Sequence, residues 1–352
     1  LQEIDKFVRP PLQKEYDVHT YDELKNVPDG GWAVAVGDEA HMLKNSESVR
    51  FQRAAPVLQK VRRVVLLTAT PHLNRCIELW PLMHVLRPRL VPSYERFAKR
   101  YCNARLDRRT GRLDVRGFSR RHAGELRWLL ANAFVVRRRK ELVLKDLPPK
   151  RVRVLRVPVP DEELVAMAEL EEKLEEATSA PAKQLAISSM FGATCDVKMR
   201  VACAQMLRLV PQAAREGPLL VFAHHQRMLD ALQAALEDAQ VTCARIDGHT
   251  PVKKRPALIK QMQDAKVQVG LLSYTAAGVG INLTSARVLL EAELFWTPSV
   301  LEQAECRCHR IGQAHPVTVH RLCVPGTADD RILKMLQRKR AEQELLVPID
   351  DA

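Results

Sequence analysis

Three groups of residues along this chain of 352 residues have types and spacings that could do chemistry. Asp38-Glu39-Ala40-His41 follows directly on the apolar run Trp32–Gly37. Two carboxylates at a strand end suit nucleotide hydrolysis: the first can hold Mg²⁺ on the phosphates, directly or through water, and the second can polarise the attacking water. Alone, the tetrapeptide is a weak sign, because acidic pairs at strand ends are often only solvated. Leu67-Thr68-Ala69-Thr70-Pro71 closes a second apolar run, and its hydroxyls could relay between the acidic pair and a neighbouring element. Read by itself it is an ordinary turn closed by Pro71. Gln303-Ala304-Glu305-Cys306-Arg307-Cys308-His309-Arg310-Ile311-Gly312-Gln313 places Arg307 and Arg310 three apart, on one face if the stretch is helical. Two guanidiniums on one face can clamp the charge that develops on a transferring phosphoryl group. The plainer reading is a basic helix against solvent or a phosphate backbone.

These residues need a sheet to hold them. Trp32–Gly37 and Val64–Leu67 read as buried strands with polar residues at their C-terminal ends, where ligands collect in open α/β sheets. From Leu79 to about Leu147 the chain turns Arg-rich, with Trp80, Tyr94, Phe97, Tyr101 and Trp128 spread through it, and reads as inserted helices and loops. Asp161–Ala177 reads as a helix with Asp161 as N-cap and a stripe of Leu164, Met167, Leu170 and Leu174. From Pro218 onward, strands at Leu219–Ala223, Val241–Ile246, Val267–Leu272, Val288–Leu290 and Val317–Cys323 alternate with helices at Arg227–Ala239 and Pro251–Asp264. Such alternation predicts an α/β fold with a parallel sheet covered on both faces. The domain expectation is therefore the C-terminal part of one lobe over 1–78, helical insertions and a linker over 79–215, and a second lobe over 216–352.

The bulk numbers set limits. Length favours two domains, and 46% hydrophobic residues exclude a disordered tail. With 55 Lys and Arg against 42 Asp and Glu, the formal charge is +13, which draws the chain towards polyanions or gives it merely a basic surface. The eight Cys form no Cys-x-x-Cys pair, so Cys306, Cys308 and His309 lack the second ligand pair of a structural zinc site. No apolar stretch is long enough to span a bilayer and no signal-peptide pattern opens the chain, so it reads as soluble and intracellular, with no membrane partner.

Taken in order, DEAH, LTATP, VFAHH, RIDGHT, TAAGVGINL, ELFWTP and QAECRCHRIGQ resemble the helicase motifs of Swi/Snf-type, superfamily-2 DNA-dependent ATPases over nearly the whole chain. Tyr101-Cys102-Asn103-Ala104, Arg137-Arg138-Arg139-Lys140, Phe222-Ala223-His224-His225, Ala292-Glu293-Leu294-Phe295-Trp296 and Gly326-Thr327-Ala328-Asp329-Asp330 are similar to the annealing-helicase, HepA-related branch. The resemblance implies two RecA-like parallel-sheet lobes, the first incomplete, with ATP between them and duplex DNA across both. It implies ATP and Mg²⁺ as cofactors, with Asp38 and Glu39 serving Mg²⁺ and water. His41, Thr68 and Thr70 would couple the nucleotide to lobe movement. Gly280, Gln303, Arg307 and Arg310 would complete the site from the second lobe. DNA contacts would come from Lys44, Asn45, Arg138, Lys140, Gly248, Thr250 and Trp296, the last also readable as a core aromatic. The implied activity is ATP-dependent translocation on duplex DNA that anneals strands and remodels branched DNA such as stalled forks. Forked DNA, single-strand-binding protein or chromatin would be partners, and the nucleus the location. A chromatin-remodelling ATPase shares this chemistry.

The sequence departs from that family in a few places. A glycine-rich phosphate loop ending Gly-Lys-Thr is expected upstream of the acidic pair, and these residues hold none: Gly30-Gly31 is followed by Trp32. Val18–Leu24 resembles the family strand that lies after that loop. Either the sequence is truncated or the protein is a non-hydrolysing DNA-binding relative, and both readings stand open. Gly37 stands where an aliphatic residue is usual, Cys306 where Asp is usual, and Arg139 where an apolar residue is usual. Loss of that Asp would weaken the orientation of Arg307.

Overall fold

The first strand, β1 (Val34–Gly37), leads into a single 3-10 turn at Ala40–Leu43 and then the helix α1 (Val49–Lys60). In the computed structural model, residues 16–24, 32–68, 75–108, 111, 113–115, 117–138, 140–275 and 281–346 are described. Contacts divide the chain into two units, built mainly from Leu1–Arg137 and from Arg138–Glu344.

In the first unit, Ser48 caps α1 by accepting the Phe51 N–H, and Phe51, Ala54, Ala55 and Leu58 form its buried stripe. The chain returns as β2 (Arg63–Leu66), parallel to β1 with Val34 opposite Arg63 and Gly37 opposite Leu66. α2 (Leu79–Leu86) is almost wholly apolar and buried, with Leu79, Trp80, Leu82, Met83 and Val85 in the core. α3 (Tyr94–Tyr101), a short hairpin of β3 (Arg105–Leu106) and β4 (Leu113–Asp114), and α4 (Ala123–Ala133) follow. Two expectations need correction. β1 and β2 are not buried on both faces, since Val34, Val36, Val65 and Leu67 are exposed; among the described residues no layer covers that face. Val18–Leu24 contains no strand: Thr20 N–H donates to Glu23 Oε2 and Glu23 N–H returns to Thr20 O, which closes a turn.

The second unit contains α5 (Lys140–Val143), β5 (Lys150–Arg156), α6 (Val165–Glu176), α7 (Ala180–Ala213), β6 (Leu219–Ala223), α8 (Gln226–Asp238), β7 (Cys243–Ile246), α9 (Arg255–Gln263), β8 (Val269–Ser273), β9 (Val288–Glu291), α10 (Pro298–Glu305), β10 (Val317–Cys323) and α11 (Ala328–Leu346). Six strands form one sheet in the order β5-β10-β9-β6-β8-β7, every pair parallel. Central strands alternate their side chains between two cores, as a period of two requires. Leu220, Phe222, Leu272 and Leu289 join Met262, Leu301 and Ile332 on one face. Leu219, Val221, Val269, Leu271 and Leu290 join Met206, Met228, Leu229 and Leu232 on the other. This is the expected α/β fold with a doubly covered parallel sheet.

The stretch 79–215 divides between the units rather than forming one body. Its first part packs with the first unit and its second part with the second. Lys150–Arg156, for which the sequence suggests no strand, is the edge strand β5, paired along its whole length with β10. Asp161 opens a short 3-10 turn, Asp161–Leu164, without a side-chain cap, and α6 starts only at Val165. The expected stripe survives in it: Met167 is buried, and Leu170 and Leu174 pack on the core. Among the described residues no helix is long and apolar enough to cross a membrane.

Candidate active site

Parallel pairing of β1 and β2 brings the two strand-end motifs of the first unit together. Leu67 N–H donates to Gly37 O and Ala40 N–H donates to Leu67 O, each at 2.8 Å, so the acidic pair and Thr68 leave the sheet side by side. Glu39 is held in the left-handed region, φ 48° and ψ 45°, immediately before the 3-10 turn. That conformation is costly for a residue with a Cβ and points to a backbone over-determined by its surroundings. Asp38 Oδ1 accepts the Glu39 N–H at 2.9 Å, which fixes the turn and leaves the second carboxylate oxygen to solvent. Glu39 Oε2 is buried, 3.1 Å from His41 Nδ1 but without hydrogen-bond geometry. Thr68 Oγ1 lies 3.4 Å from that same ring nitrogen. Burial pushes the His41 imidazole below the ordinary histidine range, more than the Glu39 carboxylate raises it. A neutral imidazole therefore links the acidic pair to the end of β2.

Tyr21 completes this corner, and sequence reasoning missed it. Its hydroxyl donates to Asp38 O at 2.8 Å. Gly37 is what admits it: a Cβ there would sit 2.8 Å from the Tyr21 hydroxyl oxygen and 3.1 Å from Leu66 Cδ2. The departure at Gly37 is thus a close approach between a strand and a phenol. Burial, reinforced by the charges of Asp38 and Glu39, pushes the Tyr21 hydroxyl up to about 12, so it stays a donor. Downstream, Lys44 is half-buried, and Asn45 uses its side chain to accept the Glu47 N–H at 3.0 Å. The carboxylates offer hard oxygen donors, one of them buried with no hydrogen-bond donor, and this fits Mg²⁺ and its bound water.

In the second unit α10 positions Gln303, which is half-buried, and stops at Glu305. Arg307 and Arg310 therefore do not share a helix face, contrary to expectation. They sit in an irregular turn held from below. Leu283 N–H donates to Arg307 O at 2.8 Å, and Arg310 Nη1 reaches Ile281 O at 3.5 Å. The buried Gln313 amide donates to Thr284 O and Ala286 O, each at 3.0 Å. Gln313, quoted in the motif but assigned no role, ties this turn to the backbone of Thr284 and Ala286. A buried ionic network anchors the end of α10. Glu305 takes Lys150 and Arg321, and Arg321 Nε also donates to Glu291 Oε2 at 2.6 Å. Both carboxyl groups are fully buried; Lys150 and Arg321 hold Glu305 ionised against that burial, whereas burial raises the Glu291 carboxyl.

Lys140 donates to His309 O and lies 3.4 Å from Cys306 Sγ, so it supports the arginine turn instead of facing outward. Arg138 is exposed. Asp247 organises the turn that carries Gly248 and Thr250. Its Oδ1 accepts from His249 N–H at 2.9 Å and from the Thr250 hydroxyl at 3.1 Å. Burial would raise its carboxyl, but hydrogen bonds from Gln226, Arg245 and the His249 amide hold it at about 2. Trp296 is 36% exposed and rests on Phe191 and Phe295, with ring centroids 4.8 Å away in each case. It is thus an aromatic at the rim of the core. Thr70, Gly280 and Arg139 lie outside the described residues. Among the described residues, Cys195, His225 and Glu293 bring ligand atoms within 4.8 Å of one another. Glu293 Oε2 already accepts the His224 and His225 N–H groups at 2.8 Å, so this carboxylate caps the start of α8.

Family comparisons agree with the motif order. The SNF2-related domain model matches residues 12–205 and the helicase conserved C-terminal domain model matches residues 199–312. The SWI/SNF-related matrix-associated actin-dependent regulator of chromatin subfamily A-like protein 1 of Xenopus laevis is 36% identical, over 87% of this chain and 32% of its own length. The mouse DNA annealing helicase and endonuclease ZRANB3 is 37% identical, over 87% of this chain and 29% of its own. The chain spans about a third of the length of these curated relatives. A crystal structure of the C-terminal part of the Fun30 ATPase domain aligns with TM-score 0.44 and 16% identity, over 57% of this chain and 97% of that one. The chain belongs to the SNF2-related family of Swi/Snf-type, superfamily-2 ATPases, near its annealing-helicase branch.

Proposed function

We propose that this chain is the greater part of an ATP-driven motor that moves on duplex DNA and remodels branched DNA such as stalled replication forks. The observation that carries the reading is the strand-end corner of Asp38, Glu39, His41 and Thr68, in which a strained backbone fixes a carboxylate beside a neutral imidazole. Bound Mg²⁺ would neutralise phosphate charge and supply an ordered water. Asp38, with its exposed side chain, would hold that ion. Glu39 accepts a proton from the attacking water through its buried oxygen. His41 passes the state of Glu39 to Thr68, and Thr70 extends the relay. Arg307 and Arg310 stabilise charge on the transferring phosphoryl group, with Gln303 and Gly280 approaching the nucleotide.

DNA recognition is assigned to phosphate contacts from Lys44, Asn45, Arg138 and the Gly248–Thr250 turn, with Trp296 against the backbone sugars. The net charge of +13 favours such a partner. Lys140 belongs instead with the residues that position the arginine turn. We assign the protein to the nucleus, with single-strand-binding protein or chromatin as partners. A non-hydrolysing DNA-binding role is the second reading, favoured by the net charge of +13, which draws the chain to a polyanion whether or not ATP is turned over.

The test is ATP hydrolysis with and without duplex or forked DNA, by this chain and by one extended upstream with its native residues. DNA-stimulated turnover by the extended chain, lost in Glu39→Gln while DNA binding persists, supports the motor. Arg310→Ala lowers turnover by roughly a thousandfold or more if Arg310 acts as an arginine finger. DNA binding without turnover in either chain assigns the second reading, and undiminished turnover in Glu39→Gln removes Glu39 from the mechanism.

A further inference from the structure

Trp128 is 66% exposed, the most exposed aromatic side chain among the described residues. It stands on α4 opposite the buried Leu126 and Leu130, which anchor the helix to the first unit. Of the positions three or four away, Gly124 and Ala131 are small, Glu125 is drawn to Arg100 and Tyr101, and the Asn132 amide turns back to donate to Trp128 O. A Cβ at Gly124 would meet nothing within 4 Å, so the space beside the indole is open. With about two-thirds of its surface exposed, the ring can take a flat partner.

The surroundings are basic. Arg120, Arg121 and Arg127 are exposed and have no acidic partner among the described residues. The acid on this helix, Glu125, is already engaged by Arg100 Nε at 2.7 Å and by the Tyr101 hydroxyl at 2.6 Å. Those bonds, Arg100 foremost, hold its carboxyl down at about 2, so it stays paired and does not compete for the arginines. An apolar protein segment would bury three unpaired guanidiniums at this face, a penalty that a phosphate backbone turns into attraction.

We propose that the outer face of α4 binds single-stranded DNA, with an unpaired base stacked on Trp128 and flanking phosphates on Arg120, Arg121 and Arg127. Duplex bases already stack on one another, so this platform selects an unpaired strand such as the arm of a fork. The inference takes its ligand from the proposed DNA motor, but it uses none of the residues assigned to hydrolysis or to duplex contact.

Fluorescence anisotropy on the full chain tests it, with a labelled oligothymidylate, an abasic strand of equal length and charge, and a duplex. Trp128→Ala should weaken oligothymidylate binding about tenfold, whereas Trp128→Phe holds it within about threefold. The abasic strand should bind the unaltered chain about as weakly as oligothymidylate binds Trp128→Ala, and duplex affinity should not change. Equal binding of the abasic and thymidylate strands, or an undiminished Trp128→Ala with native circular dichroism, overturns the stacking site. Self-association lost in Trp128→Ala, with nucleic-acid binding unchanged, would make the face a protein contact instead. A chain that binds duplex but no single strand defeats this inference alone, whereas one that binds neither defeats the motor reading as well.

Discussion

Glu39 allows the cost of holding a catalytic carboxylate in place to be measured. Its backbone lies at φ 48° and ψ 45°. For a residue with a Cβ, that region costs roughly 1–2 kcal/mol. The side chain recovers little of this, because it is 47% exposed as a whole and its contact with His41 lacks hydrogen-bond geometry, and such half-exposed pairs contribute under about 1 kcal/mol. Glu39→Ala and Glu39→Gly both remove the carboxylate, so that contact cancels between them. Only alanine keeps the Cβ. At an ordinary loop position alanine is the more stable by roughly 0.4–1 kcal/mol, because glycine has more freedom to lose on folding. At position 39 relief of the left-handed penalty exceeds this, so glycine should be the more stable by about 1 kcal/mol. Urea dependence of hydrogen exchange at the buried α1 amides of Ala54 and Leu58 reads the first unit directly. Both variants should lose turnover in a chain that hydrolyses ATP. Glu39→Ala as stable as Glu39→Gly, or more so, would show that the left-handed backbone is unstrained and would remove the reasoning.

Two further outcomes concern the second unit. Lys198 Nζ bonds Leu322 O at 2.8 Å and meets Asp329 Oδ2 at 2.9 Å, with both residues 1% exposed. Lys198→Met leaves a buried carboxylate unpaired and should cost about 3–5 kcal/mol in urea unfolding, most of it recovered in the Lys198→Met/Asp329→Asn double variant; a cost under about 1 kcal/mol would mean that water reaches Asp329. Burial, only partly countered by Arg321, raises the Glu291 carboxyl from its ordinary 4.5 to about 8. The folded state keeps that proton where the unfolded state has lost it, so this contribution is full below pH 4.5 and is lost as pH rises towards about 8. Melting temperatures of Glu291→Gln should fall less than those of the unaltered chain across this window, and parallel curves would contradict the assignment.

Much of the second unit was legible because its central strands are wholly buried. Leu219–Ala223 and Val317–Cys323 have the bounds read from their apolar runs. β5 was not legible, since Lys150-Arg-Val-Arg-Val-Leu-Arg156 is an edge strand paired only with β10, and its charges can stay wet on the open side. The arginine turn misled for a different reason. Local spacing favoured a helix, but α10 ends at Glu305 and the turn after it is tied by tertiary bonds from Gln313 and the Leu283 amide. Glu291, Glu305 and Arg321 read as surface charges until their mutual bonds are seen, because nothing in local sequence marks which charges are paired in a core. In the first unit the acidic pair and Thr68 were legible as strand ends, whereas Tyr21 lies 17 positions from its acceptor Asp38 and carries no local signal.

The departures at Gly37 and Cys306 have a common physical form. At each, the residue present is smaller or less charged than the family pattern expects, and a side chain distant in sequence occupies the vacated place. Tyr21 fills the space over Gly37 and bonds the carbonyl of Asp38. Lys140 reaches the turn at Cys306 and bonds His309 O, which sets a cation beside the thiol. The usual Asp at 306 would have met Lys140 as an ion pair. The thiol accepts only a weak bond from the ammonium, which also donates to the His309 carbonyl, and the backbone at Arg307 is held by the Leu283 amide. Backbone held by Gln313 and the Arg307–Leu283 bond is stiffer than a pair of long charged side chains. Loss of the aspartate is therefore compatible with an ordered arginine turn, and the burden of order passes to Gln313.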